Sequence, residues 1–332
     1  MTNKTRDFFM KEYILGIDLG GTNIEGGLVD RKGNVRFKTT KPTDSRKRAK
    51  TVLNNILSVA KTVIEKAKAN KCKVLAIGMG TPGAVDHATG TIVSGAENIM
   101  GWKGVPIVPV LRREFGLPSF VSNDVTLYAL GEAMFGAGKG AKEIICLTVG
   151  TGIGGGIITG GKIYRGAKDG AGEIGHTTVK LDGKKCKCGS FGCLERYASA
   201  TAIANMGKQS CKKNGKGLIL KLAGGSKDKI TAKTVFDAAK KGDLAAKDIV
   251  EKTGRYLGAG IANFINLLNP EMVIIGGGVA EAGNILLRVI SKSVKTYGLR
   301  ISTKDVRIVL GRLKTNAGVI GAAALAWQEI KR

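Results

Sequence analysis

Residues 13–23 read YILGIDLGGTN. Tyr13, Ile14, Leu15 and Ile17 make an apolar run of strand length, and the run ends on the carboxylate Asp18. Gly20 and Gly21 follow, then Thr22 and Asn23. Glycines let backbone N–H groups approach an anion with no Cβ in the way, and a threonine hydroxyl adds a donor. Asp18 at the strand tip suits Mg²⁺, held directly or through water. A plain hairpin also accepts Gly-Gly. The surrounding sequence therefore has to decide between a turn and a phosphate site.

Working outward, a second strand is expected over 24–29 and a turn at Lys32-Gly33-Asn34. A third strand near 35–39 completes a meander. Residues 45–69 place Ala49, Val52, Leu53, Ile56, Ala60, Val63, Ile64 and Ala67 at helical spacing. KVLAIGM (73–79) reads as a strand ended by Thr81-Pro82-Gly83. The same order recurs further on. EIICLTV (143–149) is a strand, Gly150-Thr151-Gly152 a glycine turn, and 154–159 the returning strand. Helical patterning fills 232–268. MVIIG (272–276) is a strand running into Gly277 and Gly278, with a helix expected near Gly283. Two halves, each a meander followed by alternating helix and strand, define an α/β protein of two similar lobes with a ligand cleft between them. The expected division gives residues 1–121 and a C-terminal helix over 315–332 to a smaller N-terminal lobe. Residues 122–314 form a larger lobe. The last helix, beginning TNAGVIGAAALAW, is expected to pack back on the first lobe.

Composition narrows the class. Of 332 residues, 43% are hydrophobic, which fits an ordinary globular chain. Lys and Arg number 53 against 26 acids, a formal charge of +27. Such a charge suits a nucleic-acid binder or an enzyme of polyanions. The lysines are scattered and aromatics are only 5%, so no dedicated nucleic-acid partner is expected. The first twelve residues are polar, and no apolar run is long enough to span a membrane, so a cytoplasmic protein with no membrane partner is expected.

TVGTGIGGG (148–156) contains a formal G-x-G-x-x-G, but Ile- and Gly-rich strand sequence follows it where a dinucleotide site needs a helix. It reads as a second phosphate-facing hairpin, and IIGGGVAEAG (274–283) as a turn suited to adenine or ribose. GAGKG (136–140) is not a Walker A motif, because glycine follows Lys139. Three glycine turns at strand ends make nucleotide-dependent phosphoryl transfer the leading chemistry. That chemistry needs positioning, a metal and one base near the acceptor hydroxyl. Asp124, after Ser122-Asn123, reads either as the N-cap of the following helix or as that base, and the two roles are compatible. Asn98, Asn123, Glu173 and Glu195 are the side-chain types that bind sugar hydroxyls.

CKCGSFGCLE (186–195) carries Cys186, Cys188 and Cys193, and His176 lies ten residues earlier. In a cytosolic setting this Cys₃His set points to tetrahedral Zn²⁺. Protein fills all four positions, which makes the zinc structural. It would fix Glu173 and Glu195 and leave the second His176 nitrogen for substrate. Cys72, Cys146 and Cys211 read as packing residues.

Together DLGGTNI (18–24), ND (123–124), LTVGTGIGGGII (147–158), GAGEIGH (170–176) and CKCGSFGCLE resemble the ROK family of repressors, open reading frames and kinases. The resemblance runs from about residue 12 to the C-terminus. It implies the duplicated actin/hexokinase-like (ribonuclease H-like) fold, with ATP and Mg²⁺ as cofactors and a sugar between the lobes. It implies that Asp124 is the catalytic base and that Gly83, Asn98, Asn123, Glu173, His176 and Glu195 contact the sugar. Gly20, Gly21, Thr22, Asn23, Gly150, Thr151 and Gly152 would face the phosphates, with Asp18 near the metal and Gly277 and Gly278 by the adenosine. One departure is Glu25, where the family often has Lys or Arg; a carboxylate there is expected to point away from the phosphate turn. The function implied is glucose 6-phosphorylation by ATP. Another hexose (N-acetylmannosamine, mannose, fructose or allose), polyphosphate as donor, and a sugar-responsive regulator stay open. A homodimer or homotetramer is expected from the resemblance.

Overall fold

The computed structural model describes residues 11–94, 99–214 and 217–331. The first meander forms as expected: β1 (Glu12–Leu19), β2 (Asn23–Val29) and β3 (Val35–Pro42) are antiparallel neighbours. β4 (Lys73–Thr81) pairs parallel to β1, a short ribbon of β5 (Ala84–Asp86) and β6 (Thr91–Ser94) follows, and β7 (Ser119–Asn123) pairs parallel to β4. The sheet order is β3-β2-β1-β4-β7.

The second half repeats this plan. β8 (Ile144–Val149), β9 (Ile153–Thr159), β10 (Lys162–Ile163), β11 (Met272–Gly276) and β12 (Arg307–Leu310) give the order β10-β9-β8-β11-β12. The antiparallel and parallel pairings match strand for strand. The turn after β1 and the turn after β8 are therefore topological equivalents, and each is a glycine turn. This duplicated five-stranded α/β plan is the actin/hexokinase-like architecture.

The chain divides into two compact units. One runs up to Phe135 and adds Ala167–Asp169 and the stretch from Leu313 onward; the other comprises Gly136–Gly166 and Gly170–Arg312. This division falls later than the one expected at 121/122. The helix Asp124–Phe135 belongs to the first unit because it packs on the C-terminal helix Ala317–Glu329. Buried Glu132 ties the two, accepting from the Leu313 N–H at 2.9 Å and from the Tyr128 hydroxyl at 3.3 Å. No described helix is long and apolar enough to cross a membrane.

The helix expected over 45–69 begins at Ala49. Its buried face, Val52, Ile56, Val59, Ala60, Val63 and Ala67, is the stripe the spacing predicts. Thr43 is bonded instead to the glycine turn of the first sheet: its N–H donates to the Thr22 carbonyl at 2.8 Å, and its hydroxyl to the Gly20 carbonyl at 2.7 Å. Residues 44–47 form a turn of their own, closed by the Lys47 N–H on the Asp44 carbonyl at 2.8 Å. Cys72, Cys146 and Cys211 are buried in the two cores, as packing residues should be.

The C-terminal helix lies directly on the first sheet. A Cβ on Gly78 would fall 1.8 Å from the Ala322 carbonyl oxygen, and one on Gly16 would fall 2.1 Å from that of Val319. Gly131 and Gly321 make the same backbone-to-backbone approach between the two helices. Gly78→Ala should therefore force helix and sheet apart and cost about 1–3 kcal/mol or more in urea unfolding. Gly21→Ala, with open space around its Cβ, should stay within about 0.5 kcal/mol of the parent chain.

Candidate functional site

In the first unit the sheet brings two carboxylates together. Asp18 closes β1, and Asp124 opens the helix that follows β7. Gly80 on β4 lies against both: a Cβ there would sit 3.4 Å from Asp18 Oδ1 and 3.6 Å from the Asp124 Cα. Burial pushes the Asp18 carboxyl up to about 7, with the charges of Asp124 and Glu25 adding to the rise and Lys38 opposing it. Burial also pushes Asp124 up to about 6, against the lowering effect of the Val125 N–H. Among the described residues no donor reaches the Asp18 carboxylate. A half-buried carboxylate lacking a donor, beside a second carboxylate, fits a hard divalent cation.

Asn123 settles the capping of the Asp124 helix. Its Oδ1 accepts from the Val125 and Thr126 N–H groups at 3.0 and 3.2 Å, and its Nδ2 donates to the Gly83 carbonyl at 3.2 Å. The capping role open to Asp124 is thus filled largely by its neighbour. Asp124 retains one short-range bond, Oδ1 to the Val125 N–H at 2.9 Å. Gly83 holds φ +90°, a turn conformation that favours glycine.

In the Gly20–Thr22 turn the Gly20 and Thr22 carbonyls accept from Thr43, as described above, and the Gly20 N–H donates to the Asn23 carbonyl at 3.0 Å. The Gly21 and Thr22 N–H groups find no acceptor among the described residues, which leaves them for an anion. Glu25 does not turn away from this region. It is the cross-strand partner of Asp18, and its carboxylate meets the Lys38 ammonium at 2.8 Å.

In the second unit the turn Gly150–Gly152 is held on three sides. The Gly150 carbonyl accepts from the Ala200 N–H at 2.7 Å, and the Thr151 carbonyl from the Thr201 hydroxyl at 2.8 Å. Glu195 Oε2 accepts from the Ile153 N–H at 2.9 Å. A Cβ on Gly152 would meet that oxygen at 2.4 Å, so a side chain there would displace the Glu195 carboxylate from the turn. Gly277, at φ +78°, lies against the Val149 backbone, so the turn carrying Gly277 and Gly278 adjoins the end of β8.

The metal set forms in the same unit. The ligand atoms of His176, Cys186, Cys188 and Cys193 all lie within 4.8 Å of one another. His176 Nδ1 is 3.8 Å from Cys186 Sγ, and Cys188 Sγ is 3.6 Å from Cys193 Sγ. A tetrahedral zinc with Zn–S of about 2.3 Å and Zn–N of about 2.0 Å spaces its ligands by roughly 3.5–3.8 Å. Burial and the neighbouring thiols push Cys193 up to about 12 while the Ser190 N–H lowers Cys188, and a bound dication would hold both as thiolates. His176 Nε2 faces the other way, 4.0 Å from the exposed carboxylate of Glu173.

The expected residues thus fall into two groups. Asp18, Gly20, Gly21, Thr22, Asn23, Gly83, Asn123 and Asp124 gather at one end of the first sheet. Gly150, Thr151, Gly152 and Glu195 gather at the equivalent end of the second, with Gly277 and Gly278 beside them and Glu173 and His176 at the cysteine loop. Asn98 lies outside the described residues. Thr43, Thr201 and Lys38 were not singled out from sequence. The two threonines carry no local signal, and Lys38 is one lysine among many.

A profile of the ROK family matches residues 14–329. A glucokinase from Thermotoga maritima is 38% identical over 321 residues, covering 96% of this chain and 99% of the relative. A glucokinase from Halalkalibacterium halodurans is 38% identical, with 96% of each chain covered. The crystal structure of a ROK family glucokinase from Streptomyces griseus, in complex with glucose and AMPPNP, superposes with a TM-score of 0.80 at 36% identity, covering 95% of this chain and 99% of the other. The motifs, the duplicated sheets and these likenesses lead to one assignment: the chain belongs to the ROK family.

Proposed function

We propose that the chain is a glucokinase, moving the γ-phosphoryl group of ATP to the 6-hydroxyl of glucose. The observation that carries this reading is the state of Asp124. Its helix is capped by Asn123, its carboxyl is raised to about 6, and it lies beside Asp18 at the mouth of a glycine turn. A carboxylate tuned toward neutrality and relieved of a structural duty is suited to take a proton from a hydroxyl. The nearly full-length likeness to glucokinases supports glucose as the acceptor and ATP as the donor.

Asp124 accepts the proton as the 6-oxygen attacks. Asn123 and the Gly83 turn hold the sugar beside it. In the second unit Glu195, Glu173 and the Nε2 of His176 are the groups suited to sugar hydroxyls. The free N–H groups of Gly21 and Thr22 in the first unit, and the turn at Gly150–Gly152 in the second, are each suited to phosphate oxygens. Asp18 is the residue that would hold Mg²⁺, which when bound offsets charge on the transferring group. The Cys₃His set would hold zinc, whose part is to fix the loop that presents His176 and Glu195.

Asp124→Asn should keep glucose binding by calorimetry while kcat falls about 10²–10⁴-fold. Normal turnover in that variant would remove the assignment. In the parent chain kcat/KM should decline on the acid side with a midpoint at about 6, since the base must be ionised. The sign for stability is opposite. A carboxyl raised on folding binds its proton more tightly in the native state, so its contribution weakens as pH rises from about 4 through the raised value. Asp124→Asn should accordingly melt no lower than the parent at pH 8. Elemental analysis should find about one zinc per chain. Cys193→Ser should lose it, with KM for glucose rising roughly 10–100-fold.

A further inference from the structure

An irregularity in β3, strained at Phe37, decides where a lysine points. Between β2 and β3 the register slips between Gly26 and Leu28. Opposite the slip, Phe37 adopts φ +52°, a conformation that an aromatic residue takes only under constraint. Side chains of a regular strand alternate, so Val35 and Phe37 should share a face. They do not: Val35 packs with Ile14, Val319 and Trp327 on the C-terminal-helix side, and Phe37 packs into the core that contains Val52 and Val59 on the opposite side. A bulge adds one residue and inverts the alternation beyond it. Thr39 and Lys41 consequently bond to Lys66 and Ser58 of the helix Ala49–Ala69, at 3.2 and 3.1 Å. Lys38 is delivered to the other face, the face of Asp18.

There the ammonium is held at two points, 2.8 Å from Glu25 Oε2 and 3.3 Å from Asn316 Oδ1. Asn316 directly precedes the C-terminal helix, whose Gly318 abuts the Asp18 carboxylate. Asp18, Asp124 and Glu25 set three carboxylates before a polyanionic donor. Lys38 is the cation whose charge reaches Asp18, and about a third of its side chain remains exposed to an incoming ligand.

We propose that Lys38 binds the phosphates of the nucleoside triphosphate donor, with Glu25 and the Phe37 bulge positioning it. The inference rests on the kinase reading above and assigns the cation of its phosphate site. Glu25 thereby has a use: it orients the lysine.

The test compares Lys38→Met, Lys38→Arg and Glu25→Gln with the parent chain. Steady-state kinetics would be accompanied by calorimetric titration with MgATP and, separately, with glucose. Lys38→Met should raise KM and Kd for MgATP about tenfold or more and leave glucose binding within about twofold. Lys38→Arg should recover most of the loss, and Glu25→Gln should weaken MgATP binding less than Lys38→Met does. Unchanged MgATP binding in Lys38→Met overturns the proposal. So does an equal loss for glucose and nucleotide with a lowered melting temperature, which marks a structural role. If the parent chain phosphorylates no hexose, the glucokinase reading fails, while the MgATP titration still decides for or against Lys38.

Discussion

The first unit depends on how closely its C-terminal helix approaches the strands beneath it. Van der Waals contact between backbones is available only where no side chain intervenes, and Gly16, Gly78, Gly131 and Gly321 supply those positions. The helix is itself mostly alanine and glycine over its buried face. The consequence is positional. Gly318 brings the helix onto the Asp18 carboxylate, Gly321 brings it onto the carbonyl of Leu127 in the Asp124 helix, and Asn316 reaches Lys38. Chain segments nearly 300 residues apart thus locate a group of charges that no local element could fix.

That location has an energetic cost which is also its chemical use. Removing Asp18 and Asp124 from water disfavours their charged forms, and setting them side by side disfavours the Asp18 charge further. A fold selected for stability alone would place other residues there. The same desolvation moves Asp124 toward the range in which a carboxyl exchanges protons usefully at neutral pH. Asn123 makes this tolerable by taking over the helix cap. A capping aspartate is held ionised by the N–H groups it serves, whereas at Asp124 burial outweighs the bonds that lower it, of which that of the Val125 N–H is the largest.

Much of this was legible in the sequence because its signals are local. Strand-length apolar runs ending in glycine fix the turns after β1 and β8. Four ligands, one histidine and three cysteines, within eighteen residues define the zinc set. The stripe from Val52 to Ala67 gives the long helix. What the sequence hides is long-range. The bulge at Phe37 leaves the written alternation of β3 looking regular, because exposed and half-buried residues still alternate along it. Only the neighbours of Val35 and Phe37 reveal that the strand has changed face. The helix starts at Ala49 and not at 45 because Thr43 is committed to the glycine turn some twenty residues away and Asp44, at φ +55°, opens a separate turn closed by Lys47. The lobe boundary shifted past the Asp124 helix because that helix packs against residues that come last in the chain.

The two halves keep one sheet plan but secure their glycine turns by unrelated means. In the first, a single threonine ties two turn carbonyls and leaves the N–H groups of Gly21 and Thr22 unused. In the second, a carboxylate takes the Ile153 N–H while Ala200 and Thr201 hold the carbonyls of Gly150 and Thr151. Glu195 therefore commits one oxygen to the turn and keeps the other for further hydrogen bonds, so a shift of the cysteine loop would also disturb the turn. Zinc in the Cys₃His set would restrain Cys193, two residues before Glu195, and with it that carboxylate. The first unit needs no such clamp, because its turn is anchored to Thr43, directly after the end of β3 in the same sheet. The second unit's anchors stand at the starts of the helices Glu195–Ala198 and Ala200–Asn214, directly after the cysteine loop, which has little regular structure, and a metal is a physically economical way to make such a loop rigid.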